Sequence, residues 1–413
     1  METKNRRCHK TLISRTALVL LTVLILGIST ARAEDNGPIT NLLSPLFSAP
    51  AMVLPGQSIT LKVAHGAHVE SAWLEDSFGK AAMLSLSQTP DGYIGSPSPT
   101  LRPGLFDLHA VTSSIDGKQT TEIQPRAVAV FEKFKSDFDF AFVSDLHFGA
   151  AETERVPFDN KKVYIMRRAF FEKLASLNVE FVLLGGDLNL YPESYQYSYP
   201  ESYEFLTKLL VRPVFIVPGN HDLYNMVVES LGKHVYGTDY WARYYGPTYQ
   251  SFRYGTLEFI GLNTCDWPPE YFEWGSHKAT MTGTMLNSGI QKEQYDWMRN
   301  ELSNAKDASE IVVFTHIPLA SYVAGSKIGL PPELLPGVKK EQVIGSLKEA
   351  GVRDVFAGHV HVFKENQLAP GLTEYVNSNI GGKFMESKNA GFEVVHVRGG
   401  RIINVEKIEI YIP

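Results

Sequence analysis

Cysteine is scarce in this sequence. The chain of 413 residues has only Cys8 and Cys265. Cys8 lies in an N-terminal stretch that we expect to be removed, which leaves Cys265 alone and excludes an internal disulfide. An exported chain of this length without disulfides must depend on an ordinary hydrophobic core. This favours a bacterial envelope over a eukaryotic secretory route.

Dense clusters of basic residues are also missing. The formal net charge is −6, and the removed stretch contains mostly Lys and Arg among its charged residues, so the mature chain is more acidic still. An acidic chain without a Lys/Arg run argues against a nucleic-acid duplex as a partner.

Three common catalytic motifs are absent as well. The sequence contains no GxSxG elbow, no Gly-Lys pair followed by Ser or Thr, and no HExxH. These absences argue against an α/β-hydrolase serine enzyme, a P-loop NTPase and a zincin metalloprotease.

The N-terminal stretch, residues 1–33, has the pattern of a signal peptide. Basic residues precede an apolar segment, Ala17 to Ile28, which is followed by Ala31-Arg32-Ala33. The apolar segment is short for a membrane span, and the small residues are typical of a cleavage site. We expect cleavage after Ala33 and export to the periplasm or beyond the cell. An uncleaved signal is the alternative, and the only expected contact with a membrane.

Residues 34–134 alternate between short apolar–polar runs and turn residues. The runs are 58–64, 69–74, 80–86, 105–112 and 122–131. Strands at such regular spacing predict a small all-β sandwich of immunoglobulin-like type.

Residues 135–413 have a different pattern, in which continuous apolar runs alternate with segments whose apolar residues recur at the spacing of a helix. Helical faces are predicted in 161–177, 200–211 and 289–304, and a closing hairpin is predicted around Gly399-Gly400. Strands that alternate with helices predict an α/β domain.

Five apolar runs in this second part end in residue types that bind metals. Phe138 to Val143 is followed by Ser144-Asp145-Leu146-His147, and the others read FVLLGGD (181–187), VFIVPGNHD (214–222), IVVFTHIP (311–318) and VFAGHVH (355–361). Because such buried strands hold ligands at their carboxyl ends, we expect these polar side chains to converge.

The expected donors are carboxylates, imidazoles and one amide oxygen. They are Asp145, His147, Asp187, Asn220, His316, His359 and His361. Without a thiolate, this set suits Mn, Fe or Zn, as divalent or mixed-valence ions. Seven donors are too many for one ion and fit two ions that share a bridging carboxylate.

The order DxH, GD, GNHD, HxP, GHxH resembles that of the calcineurin-like metallophosphoesterases of the DxH type. The resemblance covers about residues 137 to 411. It implies a four-layer α-β-β-α sandwich, here preceded by the small immunoglobulin-like sandwich. It also implies a hydrolase acting on phosphoric ester bonds with a dinuclear metal centre.

The resemblance also implies a role for each motif residue. Asp145, His147 and His361 would bind the first metal, Asn220, His316 and His359 the second, and Asp187 both. A metal-bridging hydroxide would attack the phosphate. His221 would assist the leaving group, with Asp222 as its orienting partner.

Two departures separate this chain from the purple acid phosphatases, which have a similar architecture. Leu190 stands where they have a tyrosine, and their first motif lacks the histidine that is His147 here. The resemblance therefore does not imply a coloured ferric-tyrosinate site.

Aromatic loops between the motifs are candidates for the rim of the site. The Tyr-rich segment 191–203 would stack on a base or sugar ring, or would pack as a lead into the helix that begins at Pro200. A second cluster comprises Trp267, Tyr271, Phe272 and Trp274, and the Gly/Pro-rich segment 321–336 has the composition of a lid. These rims fit a small phosphoester or a lipid headgroup.

The sequence therefore predicts an exported phosphate mono- or diesterase with two metals. The alternative, from a different class, is a metal-stabilised binding module in which catalysis has lapsed. The complete ligand set and the presence of His221 favour the enzyme.

Overall fold

The structure is a computed structural model that describes residues 37–149, 160–229, 232–268, 271–273, 288–320, 337–380 and 390–411. The predicted signal peptide, Trp274 and the segment 321–336 lie outside the described residues. Among the residues that the structure describes, no helix combines the length and the apolar character needed to cross a membrane.

The N-terminal part is built from short strands in two sheets. Its strands are β1 Leu42–Ser44, β2 Ala51–Val53, β3 Ile59–Val63, β4 His68–Glu75, β5 Ala81–Met83, β6 Ser85–Thr89, β7 Gly92–Ser96, β8 Gly104–Ser113 and β9 Gln119–Val130. One sheet has the order β1-β3-β7-β6 and the other the order β2-β9-β8-β4-β5.

Alternation of apolar and polar residues explains how these sheets pack. In β3, Ile59 and Leu61 are buried whereas Thr60 and Lys62 are exposed. The buried side chains join Leu74 and Leu108 of the other sheet in one hydrophobic cluster, because successive residues of a strand point to opposite faces. The predicted all-β region is confirmed, and its immunoglobulin-like type stays a prediction.

The second part contains strands and helices in alternation. The strands are β10 Phe138–Val143, β11 Val182–Leu184, β12 Val214–Ile216, β13 Asn225–Val228, β14 Lys233–Tyr236, β15 Gln250–Tyr254, β16 Leu257–Gly261, β17 Glu310–Phe314, β18 Asp354–Ala357, β19 Lys364–Ala369, β20 Leu372–Val376, β21 Gly391–Arg398 and β22 Arg401–Glu409. The helices are α1 Asn160–Ala175, α2 Tyr195–Leu209, α3 Asn220–Leu223, α4 Gly237–Tyr244, α5 Lys292–Asn304 and α6 Lys340–Glu349, with a 3-10 turn at Pro192–Ser194.

Two mixed sheets form the centre of this part. The order is β12-β11-β10-β21-β22 in one and β15-β16-β17-β18-β20-β19 in the other. Strands β10, β11 and β12 are parallel, as are β16, β17, β18 and β20. The predicted closing hairpin is formed by β21 and β22.

Three hydrophobic clusters separate four layers. Phe138, Phe140 and Phe142 of β10 lie in an aromatic cluster between the sheets, where they meet Phe259 and Phe314 of the other sheet. The alternate residues Ala141 and Val143 face a second cluster that contains residues of α1, α2 and α4. A third cluster packs α5 and α6 on the opposite sheet. The α-β-β-α sandwich implied by the family resemblance is confirmed.

The N-terminal segment also contributes to the second part. The side chain of Phe47 is buried in the same cluster as α1 and α2. The backbone N–H of Ile216 donates to the carbonyl of Ser48 over 3.0 Å. Residues 46–49 therefore cover the edge of β12 in the second part. They lie on the N-terminal side of the predicted domain boundary at residues 134/135, and this boundary stays a prediction.

Candidate metal centre

Five parallel strands end at one place, where the motif residues gather. Asp145 and His147 follow β10, Asp187 follows β11 and Asn220 follows β12, all in one sheet. His316 follows β17, and His359 and His361 follow β18, in the other sheet. The centre therefore lies at the carboxyl ends of strands from both sheets, as ligand sites of open α/β sheets do.

The backbone at these strand ends is strained. The φ angle is positive at Asp145 (60°), His147 (47°), Asp187 (52°), His359 (71°) and His361 (61°). Residues with side chains avoid this left-handed region at a cost of roughly 1–2 kcal/mol each. Among the described residues, Arg126 is the only other non-glycine residue with a positive φ. Such concentrated strain is typical of functional sites.

A first donor group comprises Asp145, His147 and His361. Asp145 Oδ1 lies 3.0 Å from His361 Nε2, and the Nε2 atoms of His147 and His361 are 3.2 Å apart. The other oxygen of Asp145 accepts the backbone N–H of His359 over 3.0 Å. A Cβ atom at position 358 would lie 2.7 Å from Asp145 Oδ2, so a larger residue than glycine would displace this carboxylate.

A second donor group comprises Asp187, His316 and His359. Asp187 Oδ2 lies 3.2 Å from His316 Nε2 and 4.0 Å from His147 Nε2, so this carboxylate stands between the two groups. Within each group, one candidate ligand atom from each residue lies within 4.8 Å of the others. The sequence pattern did not foresee that the Gly185 carbonyl would orient His316, whose Nδ1 donates to it over 2.7 Å.

Asn220 joins the second donor group through its amide oxygen. Its Nδ2 donates to the hydroxyl of Tyr224 over 2.5 Å, and its Oδ1 lies 3.1 Å from His316 Nε2. Because the amide nitrogen is engaged by Tyr224, the oxygen is the atom directed toward the histidine. Tyr224 is a partner that the sequence motifs did not identify.

Burial and neighbouring charges set the protonation of the donors. Burial disfavours ionisation of Asp145, but His361 overrides this effect and lowers the pKa of Asp145 to about 2. Burial lowers the pKa of His147 to about 3, and burial together with His316 lowers that of His359 to about 3. Burial also disfavours charged His316, yet Asp187 raises its pKa to about 9. Carboxylates bind metals in the charged form and imidazoles in the neutral form, so metal binding would release the proton that the raised pKa keeps on His316.

The donor set fits two metal ions. The carboxylates of Asp145 and Asp187 are buried, and the Nε2 atoms of His147 and His361 face each other at 3.2 Å. Taking so many polar atoms out of water is unfavourable unless they are paired or coordinate a cation. Oxygen and nitrogen donors without sulfur suit Mn, Fe or Zn.

His221 lies beside the first donor group. Its ring centroid is 5.3 Å from that of His147, and its backbone N–H donates to Asp187 Oδ1 over 2.9 Å. Its Nδ1 lies 2.6 Å from the carbonyl oxygen of Leu190. Since a carbonyl only accepts, Nδ1 carries the proton, and Nε2 is the nitrogen at the opposite side of the ring.

The expected pairing of Asp222 with His221 is wrong. The carboxylate of Asp222 instead accepts backbone N–H bonds from Gly219 (2.9 Å), Leu188 (3.3 Å) and Asn189 (2.8 Å). Burial raises the pKa of Asp222 to about 7, whereas these bonds favour its charged form. Asp222 therefore links the loop that follows Asp187 to the loop that precedes Asn220. The group that orients His221 is the carbonyl of Leu190. A backbone carbonyl has no signature in the sequence.

The Tyr-rich segment forms part of the core. Tyr195 and Tyr199 are fully buried in α2, which begins at Tyr195 rather than at Pro200. Their hydroxyls donate to the backbone carbonyls of His221 and Asp222. The packed alternative is therefore correct for these two residues. In the second aromatic cluster, Trp267 and Phe272 are also buried.

Comparisons with known proteins agree with this geometry. A family model described as Calcineurin-like phosphoesterase matches residues 138–363, which is more than half of the chain and includes every motif residue. Among curated proteins, none matches the chain.

Several solved structures are similar at low sequence identity. A purple acid phosphatase from yellow lupin (Lupinus luteus) seeds is 12% identical with a TM-score of 0.47, covering 85% of this chain and 72% of that one. A dimetal phosphatase from Danio rerio is 15% identical with a TM-score of 0.47, covering 66% and 99%. A 5'-nucleotidase from Candida albicans is 14% identical with a TM-score of 0.38, covering 68% and 52%.

Proposed function

Because this chain belongs to the calcineurin-like phosphoesterase family and is a phosphoester hydrolase, we propose that it is exported and hydrolyses phosphate mono- or diesters at a centre of two transition-metal ions. The observation that carries the proposal is the pair of donor groups that meet at Asp187. Asp145, His147 and His361 would hold one ion, and Asn220, His316 and His359 the other. Asp187 would bridge them, since both oxygens of a carboxylate have lone pairs.

The chain's residues prepare the site for an anionic substrate. When bound, the two ions would neutralise phosphate charge and lower the pKa of a shared water, so that a nucleophile forms near neutral pH. Asn220 supplies a neutral oxygen, which leaves the centre more positive than a third carboxylate would. The buried strand ends keep bulk water from the donors, and this would strengthen the attraction between the bound ions and phosphate.

His221 is the proposed acid for the leaving group. Its Nδ1 is held by Leu190, so a proton would pass from Nε2 to the departing alkoxide. Burial lowers the pKa of the His221 imidazole. A bound phosphate would oppose this effect, because a nearby anion favours the imidazolium.

Export and substrate class complete the proposal. The pattern of residues 1–33 supports a signal cleaved after Ala33 and a periplasmic or secreted enzyme. A small phosphoester or a lipid headgroup suits the acidic chain better than a nucleic-acid duplex. Cleavage is tested by N-terminal sequencing of the protein recovered from the periplasm or the medium.

The central test measures metal content and hydrolysis together. The mature chain is loaded with Mn, Fe or Zn and assayed with an aryl phosphate monoester and an aryl diester. We expect two ions per chain and turnover of at least one ester. Asp187→Asn and His316→Ala should reduce hydrolysis by more than the roughly 10- to 100-fold that loss of an outer-shell partner causes. His65→Ala, in an exposed turn, is the control. Undiminished hydrolysis in both variants would refute the centre.

The lapsed binding module remains a defined alternative. It has the same ligands and the same expected metal content, so only turnover separates the two. Two bound ions without hydrolysis of either ester under any of the three metals would favour the module.

A further inference from the structure

Helix α1 directs a buried guanidinium at the first strand-end motif. Arg167 is only 3% exposed. Its Nε and Nη2 donate to the Leu146 carbonyl over 3.1 and 2.9 Å, and Nη2 also donates to the His147 carbonyl. The guanidinium lies 4.2 Å from the ring centroid of Phe148. One side chain thus holds the backbone carbonyls of two consecutive residues and packs on the ring of the next.

That backbone is strained where Arg167 holds it. His147 has a φ of 47°, and its own N–H donates to the Asp187 carbonyl over 3.0 Å. Both polar backbone groups of His147 are therefore fixed. Its N–H is held by the carbonyl of Asp187, and its carbonyl is held by Arg167. A rigid planar fork can hold two adjacent carbonyls in a way that a lysine ammonium cannot.

The imidazole of His147 lacks the usual second support. A metal-binding histidine ordinarily donates its other ring N–H to an acceptor, as His316 does to Gly185. Among the described residues, the buried Nδ1 of His147 has no hydrogen-bond partner. The direction of its Nε2 therefore depends on the backbone from which the side chain projects.

We propose that Arg167 is a positioning residue for the first metal, which it serves by holding the Leu146–His147 backbone so that His147 Nε2 faces Asp145 and His361. This inference rests on the proposed two-metal function. Arg167 would act through the backbone of Leu146 and His147, to whose carbonyls it donates. Its loss should weaken the first metal site roughly 10- to 100-fold, as loss of other outer-shell partners does, and should leave the second site unchanged.

The experiment compares Mn(II) binding by the metal-free mature chain, its Arg167→Ala and Arg167→Lys variants, and Arg168→Ala. Equilibrium dialysis gives the two affinities, and electron paramagnetic resonance separates a coupled pair of ions from a single ion. Arg168, the next residue of the helix, is exposed and pairs with Glu172 over 2.7 Å, so it is a matched control. We expect both Arg167 variants to hold one ion at concentrations where wild type and Arg168→Ala hold two.

A double variant shows whether Arg167 acts through His147. In the His147→Ala background, Arg167→Ala should cause no additional loss of Mn(II) affinity. If Arg167→Ala fails to fold, the same comparison is made with Arg167→Lys, both in the wild-type chain and in the His147→Ala chain. Unchanged binding, equal weakening of both sites, or an additive loss would overturn the role of Arg167. Wild-type protein that takes up fewer than two ions would instead refute the metal centre, and the role of Arg167 with it.

Discussion

At the scale of single residues, Gly219 is the position where the centre has least room. A Cβ atom there would lie 2.1 Å from Asp187 Oδ1. Gly219→Ala should therefore displace the carboxylate that stands between the donor groups. We expect a loss of metal and at least a roughly 10-fold fall in kcat/KM, because ligand geometry controls both. Metal analysis and steady-state kinetics of the variant measure the two effects.

Gly345 provides the control for this substitution. It lies inside helix α6, where an added Cβ would meet nothing within 4 Å. Gly345→Ala should leave kcat/KM unchanged and raise the free energy of unfolding by up to ~1 kcal/mol through helix propensity. If Gly219→Ala behaves in the same way, the steric argument is wrong.

The side chains of the centre were predictable, whereas their partners were not. Asp145 and His147 have a recognisable order and spacing, and the structure brings them to His361 as the sequence predicts. Leu190 and Gly185 act through backbone carbonyls, which every residue has, so no sequence pattern marks them. Asp222 was given the wrong partner because proximity in sequence to His221 does not show where a side chain points.

At the scale of an element, strand β21 contains a buried carboxyl group. Glu393 is opposite Phe142 of β10 and opposite Lys407 of β22. Its side chain is fully buried, and neither carboxylate oxygen has a hydrogen-bond partner among the described residues. Burial raises the pKa of Glu393 from 4.5 to about 8, with Lys407 opposing the change.

This shift gives stability a definite dependence on pH. Between pH 4.5 and about 8 the folded state keeps a proton on Glu393 that the unfolded state has lost. The free energy of unfolding should therefore be greatest below pH 4.5 for this group, and should fall as pH rises to about 8, by at most ~1.4 kcal/mol per pH unit. Glu393→Gln cannot ionise and should show a smaller fall. Urea unfolding from pH 5 to 8 gives both slopes, and equal slopes would contradict the prediction.

The bounds of helices and strands were predicted best where the periodic pattern of apolar residues extended over many residues. The faces of α1 and α5 follow the 3.6-residue pattern through Phe170 and Met298. Helix α2 begins five residues before Pro200, since burial of Tyr195 and Tyr199 outweighs the helix-breaking effect of an internal proline. The short strands β1, β2 and β7 were missed, because three to five residues are too few to show a period.

At the scale of the whole molecule, the arrangement of the two sheets came from resemblance rather than from pattern. Apolar runs such as Phe138–Val143 show that strands are buried, but they do not show which strand lies beside which. The contribution of residues 46–49 to the α/β part had no signal at all, since Phe47 lies in a segment without regular alternation. The residue composition changes after residue 134, but Phe47 from the N-terminal side of that position packs in the hydrophobic core of the α/β part.

The last prediction concerns this shared packing. The Phe47 ring is 1% exposed and meets Tyr203 edge-on at 5.9 Å, within the core that supports α1 and α2. Phe47→Ala should lower the free energy of unfolding by ~3–5 kcal/mol, the usual cost of removing a buried aromatic ring. Phe78→Ala, at a position that is 93% exposed, should change it by at most ~0.5 kcal/mol. Urea unfolding of both variants, followed by a probe of the α/β part, measures the difference. If Phe47→Ala unfolds only the N-terminal sheets and leaves the α/β transition in place, residues 46–49 do not stabilise the part of the molecule that holds the metal centre.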